Sequence, residues 1–233
     1  MRALTWNVLH RVHAEKYGEP AIRTWPEERR RVEAIVALLG RREFDVALLQ
    51  EVSGDVLAAL RSEFGDREVL SHRYPRVPRV KQPSATVNDA SEHLVVIAPR
   101  GATVLRAQTF ANDGGKGLLA VSIDEGLTVV STHVSWGGKG VEQVQGLSAL
   151  LRETSGPLCI GGDFNAERQP VLEQLGEGCV AAVLPAGSLR TREGDEGGTD
   201  IDHFFVRGLR ISGVQVLEHA GLSDHRPVVI TLG

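Results

Sequence analysis

Cysteine is scarce: Cys159 and Cys179 are the two in 233 residues, which excludes a disulfide framework, and no zinc-type Cys/His cluster accompanies them. Cys159 sits inside the apolar run Pro157-Leu158-Cys159-Ile160 and reads as a small core residue. No apolar run approaches the roughly 20 residues that a membrane span needs, and no charged-then-apolar leader opens the chain. The expectation is a cytoplasmic protein without a membrane partner. Basic charge is not in excess either, since 26 Lys and Arg stand against 30 Asp and Glu for a net charge of −4. That excludes a broad non-specific DNA-binding face and leaves local arginine clusters for any nucleic-acid contact. A nucleophile elbow and a phosphate-cradling Gly-rich loop ending in Lys-Ser/Thr are both missing. So are internal repeats, low-complexity tracts and a linker that would divide the chain, and residues 1–233 are therefore expected to form a single domain.

What is present is an ordinary globular composition, 42% hydrophobic and 24% charged. Strand patterns fall at Arg2–Val8, Asp45–Gln50, His93–Ala98, Gly117–Ile123, Leu127–Val134, Leu158–Gly162, Thr199–Val206, Ile211–Leu217 and Pro227–Leu232. Helical periodicity covers Thr24–Leu39, where Thr24 and Glu27 have capping-box spacing and Val32, Ile35, Val36 and Leu39 form an apolar stripe. Further helices are expected over Ser53–Phe64, over Gly140–Leu151 with Val141, Val144, Leu147 and Leu151 on one face, and after Pro170. Strands and helices interleave early and strands dominate later, which suits an α/β two-sheet sandwich with helices outside. The proline-bearing stretch Ser71–Ser91, with Arg73, Arg76, Arg79 and Lys81, reads as a long loop.

Polar clusters stand at the ends of the strand-like runs. Gly161-Gly162-Asp163-Phe164-Asn165 is the most informative: the glycines permit a turn and close ligand approach, and Asp163 and Asn165 point the same way from extended backbone. Asn7, Glu51, His133, Asp202, Asp224 and His225 end other runs. Rigid strand ends opening to water are where active sites gather. Glu51 at a buried strand end is either paired with an arginine or a ligand of a hard cation such as Mg²⁺ or Mn²⁺, with Asn7 orienting that shell. His133 and His225 are either structural or anion-binding, and a carboxylate such as Asp202 on one ring nitrogen would raise the basicity of the other. Oxygen ligands, an Asp/Asn pair for water and two histidines point to metal-assisted hydrolysis of a phosphoester.

Taken in order, Thr5-Trp6-Asn7-Val8, Leu49-Gln50-Glu51-Val52, Ser131-Thr132-His133, Gly162-Asp163-Phe164-Asn165-Ala166, Ile201-Asp202-His203-Phe204-Phe205 and Ser223-Asp224-His225-Arg226-Pro227-Val228 resemble the endonuclease/exonuclease/phosphatase superfamily. The resemblance implies a DNase I-like four-layer α-β-β-α sandwich and Mg²⁺-dependent (or Mn²⁺-dependent) phosphoester hydrolysis. It implies Glu51 as principal metal ligand with Asn7 beside it and Asp224 close by. It assigns Asp163 to orienting or deprotonating water, Asn165 to positioning it, His133 to the scissile phosphate, and His225, supported by Asp202, to the transition state. Asn7-Val8-Leu9, Tyr17, Trp25 and Arg29 resemble the deadenylase, nocturnin and Angel branch. Substrate contacts are expected at Arg29, although a solvated helix face fits it as well, at His93 in the atypical segment Glu92–Ile97, and at Lys116, where many members carry arginine. The expected substrate is nucleic acid, RNA or single-stranded ends. A small or lipid phosphoester is the alternative, and a non-catalytic binding module is a third reading.

Overall fold

Strands with apolar residues at successive positions need cover on both faces, and the chain supplies it with two sheets stacked between helices. The computed structural model describes residues 1–79, 87–123, 126–194 and 197–233. In chain order the elements are β1 (Arg2–Asn7), α1 (Arg11–Tyr17), α2 (Ala21–Thr24), α3 (Glu28–Gly40), β2 (Val46–Ser53), α4 (Gly54–Glu63), β3 (Glu68–Arg73) and β4 (Glu92–Ala98). There follow β5 (Thr103–Phe110), β6 (Asp113–Ser122), β7 (Thr128–His133), α5 (Gly138–Glu153), β8 (Leu158–Asp163), α6 (Arg168–Leu175), β9 (Cys179–Ala181), β10 (Asp202–Arg207), β11 (Ile211–Val216) and β12 (Val228–Leu232). One six-stranded sheet runs β11-β12-β1-β2-β4-β3, and the other, also six-stranded, runs β5-β6-β7-β8-β10-β9.

Alternation along each central strand sorts side chains into layers. From β2, Val46 and Leu48 enter the core between the sheets, while Ala47 and Leu49 pack under α3 and α4. From β7, Val129 faces the same central core and Val130 faces α5 and α6. The four-layer α-β-β-α sandwich expected from sequence is thus built from strand alternation, each buried Val or Leu being worth roughly 1.5–3 kcal/mol. Cys159 lies in the central core, where burial pushes its thiol up to about 12. Among the described residues, no helix is long and apolar enough to cross a membrane.

Several local expectations change. Thr24 does not cap the long helix. It ends α2, its hydroxyl donating to the Pro20 carbonyl, while α3 begins at Glu28 with no side-chain cap at Glu27. Helix α4 is capped by Ser53, whose hydroxyl accepts from Val56 N at 3.2 Å. Val141 is exposed, unlike Val144, Leu147 and Leu151. The stretch read as a loop from Ser71 begins inside β3, and Lys81 lies outside the described residues. Strand β5 escaped notice because it is a sheet edge with most of its residues exposed, so no buried face marks it.

The glycine pair Gly161-Gly162 makes neither a turn nor a ligand approach. Both residues lie within β8, and a Cβ on Gly161 would come within 2.4 Å of the Phe204 ring, while one on Gly162 would come within 2.0 Å of the Thr132 carbonyl. Their role is to let β8 sit close against its neighbours. Left-handed backbone occurs just after the strand, at Asn165 with φ 48°.

Arg31 is fully buried. Its guanidinium is paired with Glu28 at 2.7 and 2.8 Å and donates to the carbonyls of Val8, Leu9 and Leu222. It therefore ties the exit of β1 to the loop that leads into β12. Arg31→Ala removes both short bonds to the buried Glu28 carboxylate, leaving it Arg11 at 3.7 Å, and should cost about 3–5 kcal/mol in urea denaturation. Arg29→Ala, on the exposed face of the same helix, should stay within about 0.5 kcal/mol. Equal losses in the two variants would contradict the clamp.

Candidate active site

Strand register gathers the polar ends. In the second sheet His133 pairs with Asp163 across parallel β7 and β8, and Asp163 pairs with Asp202 across antiparallel β8 and β10. One row of that sheet therefore carries His133, Asp163 and Asp202. In the first sheet Asn7 and Gln50 are partners at the ends of parallel β1 and β2. The pairing of β2 with β4 slips between Leu49 and Val52, and Glu51 in that irregularity adopts φ 55°. Left-handed backbone at a non-glycine residue costs about 1–3 kcal/mol, and such strain concentrates at functional sites. The loop before β12 is fastened to the same place: Ser223 Oγ donates to Asn7 O at 2.7 Å and accepts from His225 N at 3.0 Å, and Trp6 Nε1 donates to His225 O at 2.9 Å.

At the cleft floor the Asn7 amide bridges the two sheets. Asn7 Nδ2 donates to Glu51 at 3.2 Å and to Asp163 at 3.0 Å, while its Oδ1 accepts from Leu9 N. The group facing the carboxylates is therefore the nitrogen rather than the expected oxygen, because two carboxylates side by side require donors between them. His10 N donates to the other Glu51 oxygen at 3.1 Å. His133 Nε2 lies 3.3 Å from Asp163, 3.8 Å from Glu51 and against Lys116 Nζ. His225 Nδ1 bonds both oxygens of Asp202 at 2.9 and 3.0 Å, which leaves Nε2 3.9 Å from Asp163 and 3.7 Å from Asp224. Asn165 N donates to Asp163 Oδ1 at 2.9 Å and its carboxamide donates to Val134 O.

Charge follows from this geometry. Burial would raise Glu51, but His13, His133 and Lys116 hold it far below the usual carboxylate range. Asp163 is likewise depressed against burial by His225, His133 and Lys116. Burial lifts Asp202 to about 6 despite the pull of His225. Burial opposes the charge on His225, yet Asp202, Asp224 and Asp163 raise it to about 10. At neutral pH the proton of that pair stays on the imidazole. The result is two ionised carboxylates beside an imidazolium and an ammonium, at the floor of a cleft of about 470 Å³.

Glu51, Lys116, Asp163, Asn165, Asp224 and His225 line this cleft. Asn7, His133 and Asp202 are buried around the residues of its floor. Two expected substrate contacts lie elsewhere. Arg29 is 91% exposed on α3 and pairs with Glu33, because it faces away from the packed side of the helix. His93 is buried with Nδ1 on the Val52 carbonyl, its side chain turned into the sheet rather than the cleft. Sequence reasoning missed His13, Asp113, Trp136 and Arg192, which also line the cleft, as does Arg76 of the basic stretch Ser71–Ser91. Helix α1 carries His13 and Tyr17 one turn apart, a spacing that could have signalled a shared face. Arg192 holds Asp224 at 3.0 Å, and nothing local in the sequence marks that pairing.

The donor set suits a hard cation. Glu51 and Asp163 are ionised oxygen donors, and Asp224 Oδ1 is buried with no hydrogen-bond partner among the described residues.

The profile of the Endonuclease/Exonuclease/phosphatase family matches residues 4–225. A UPF0294 protein of Vibrio vulnificus is 32% identical over 113 residues, covering 45% of this chain and 39% of that protein. A UPF0294 protein of Vibrio parahaemolyticus is 29% identical over 119 residues, covering 48% and 41% respectively. The chain thus spans less than half the length of the curated relatives it matches. Among solved structures, D. rerio TDP2 complexed with single strand DNA product superposes with a TM-score of 0.72 at 13% identity, covering 100% of this chain and 98% of that one. The human Nocturnin catalytic domain with bound sulfate anion gives 0.71 at 16%, covering 100% and 93%. These two likenesses are of fold, and the fold is DNase I-like.

The ion pair around His225 has a pH signature. Its folded value, about 10, lies above the ordinary 6.5, so its stabilisation is complete below pH 6.5 and is lost as pH rises through 10. In metal-free protein, the stability advantage of wild type over His225→Gln should shrink across that interval in urea titrations. A difference that grows with pH would contradict the imidazolium assignment.

Proposed function

The chain belongs to the endonuclease/exonuclease/phosphatase family, and on that premise we propose that it is a divalent-metal-dependent phosphoester hydrolase acting on nucleic acid, at RNA or single-stranded ends, through one domain formed by residues 1–233. The observation that carries this reading is the pair Glu51 and Asp163, joined by the Asn7 amide and bordered by His133, Lys116 and His225. Glu51 would hold Mg²⁺ or Mn²⁺, with Asp224 close by and Asn7 fixing the carboxylate. When bound, the ion supplies Lewis-acid polarisation of a phosphoryl oxygen.

The protein's own groups do the rest. Asp163, kept ionised by its cationic neighbours, orients the attacking water and accepts its proton. Asn165, anchored to Asp163 and Val134, positions that water and the phosphate. Lys116 and His133 meet the scissile phosphate. His225, its ring fixed by Asp202, presents Nε2–H to the oxygen on which charge develops. Tyr17 and Trp136 are 65% and 57% exposed and line the cleft, where they would stack on unpaired bases. Arg76 and Arg192 stand at the same cleft, paired with Asp113 and Asp224, and would meet the phosphates of such a strand. The single-strand DNA product bound to D. rerio TDP2 supports the same substrate class.

Purified protein with Mg²⁺ should cleave short RNA or single-stranded DNA faster than an inositol phosphate or a sphingomyelin-like headgroup, and the reverse order would reassign the substrate. Glu51→Gln should remove metal-dependent turnover with the fold retained. Asp163→Asn and His225→Gln should each cost at least roughly 100-fold in kcat, the scale of losing one transition-state contact. Wild-type rates in Glu51→Gln would refute the site.

A further inference from the structure

Beside Glu51 lies a second cluster, two of whose members the hydrolytic scheme does not use. His13, from α1, and Glu92, opening β4, join Glu51 with one ligand atom each, all three atoms within 4.8 Å of one another. Glu92 is 1% exposed, and a carboxylate that deep requires compensation. Among the described residues, its side chain meets a hydrogen-bonding partner at His13 Nε2, 3.3 Å away.

Two further polar atoms beside this cluster are buried without a hydrogen-bond partner among the described residues. One is His10 Nε2, whose ring meets that of His13 edge-on at 5.5 Å between centroids. The other is Tyr74 Oη. Both feel the charges of Glu92 and Glu51. Orphaned polar atoms next to an under-compensated carboxylate describe a place built for an occupant. The cleft reaches it, because His13 and Glu51 both line its wall.

We propose that His13, Glu92 and Glu51 form a second divalent-cation site, which takes a first-row transition metal of the Zn²⁺ or Mn²⁺ kind. It shares Glu51 with the proposed catalytic site and in that respect rests on the reading above. The imidazole donor sets its preference: Mg²⁺ favours oxygen ligands, whereas His nitrogen suits the later divalent ions. The His13–Glu92 edge has the spacing of such a site, and the Glu51 atom stands within 4.8 Å of both. Two donors each about 2.0–2.1 Å from a tetrahedral ion stand about 3.3 Å apart, which is the His13–Glu92 separation. Glu51 would then serve two sites of different character, one among oxygen donors and one beside histidine.

Zinc binding decides it, measured on the whole chain after chelator treatment, by equilibrium dialysis with metal analysis in excess Mg²⁺. Wild type should retain one zinc per chain under these conditions, with histidine nitrogen in its X-ray absorption spectrum. His13→Gln and Glu92→Gln should each weaken zinc binding by more than about 10-fold. Should the buried Glu92 variant fail to fold, the partly exposed His13 variant and the wild-type spectrum still decide. Unchanged zinc affinity in His13→Gln, or bound zinc without a nitrogen ligand, overturns the proposal, and so does a wild type that binds none because water or the His13–Glu92 ion pair fills the space. Zinc held through His13 without any phosphoester turnover would refute the hydrolase reading alone. Mg²⁺-dependent turnover with zinc binding indifferent to both substitutions would refute this site alone.

Discussion

Two carboxylates from different sheets, Glu51 and Asp163, are held together by a single amide, Asn7 Nδ2. Like charges brought together in a buried place repel, and one neutral donor does not offset that. The surrounding chain supplies the difference: Lys116 from β6 and the imidazolium of His225 from the loop before β12, with His133 of β7 set against Asp163 between them. The fold can be understood as the device that delivers these groups to one point. Strand register places His133, Asp163 and Asp202 in a row, and the Ser223 and Trp6 hydrogen bonds bring His225 up to them.

Strain and close packing share that purpose. Glu51 and Asn165 occupy left-handed backbone, which turns their side chains to the cleft at a cost that the packed sheets on either side sustain. Gly161 and Gly162 let β8 press against Phe204 and Thr132, so that Asp163 emerges level with its partners. Gln50, one residue before Glu51, donates to Thr5 in its own sheet and to Ser131 in the other, joining the two layers just behind the site. Arg31 performs a similar service outside the first sheet, fastening the segments after β1 and before β12. The catalytic geometry and the stability of the sandwich are thus coupled at the same strand ends.

How legible each part was depended on whether its signal was local. The central strands declared themselves as apolar runs, and their polar ends stood out because charge at the end of such a run is costly without a purpose. Arg29 and Arg31 lie two residues apart in one basic run, and no sequence pattern says which is solvated and which is buried. Packing of α3 decides it: Arg31 faces inward to Glu28 and three carbonyls, whereas Arg29 faces water and Glu33. His93 and Glu92 are neighbours on β4, so side-chain alternation sends one into the sheet toward Val52 and the other toward His13. The sequence pointed to the wrong member of that pair because strand polarity is not written in it.

The order of motifs and the alternation of apolar residues were enough to specify the layered sandwich and the types of group at its strand ends, because both rest on local periodicity and residue chemistry. Which atom of Asn7 meets the carboxylates, which arginine is a clamp, and that His13 and Glu92 converge on Glu51 were decided by tertiary structure alone. Those facts depend on distances between segments as many as 191 positions apart, as in the contact of Arg31 with Leu222. Only the closed sandwich brings such segments within reach of one another's charge.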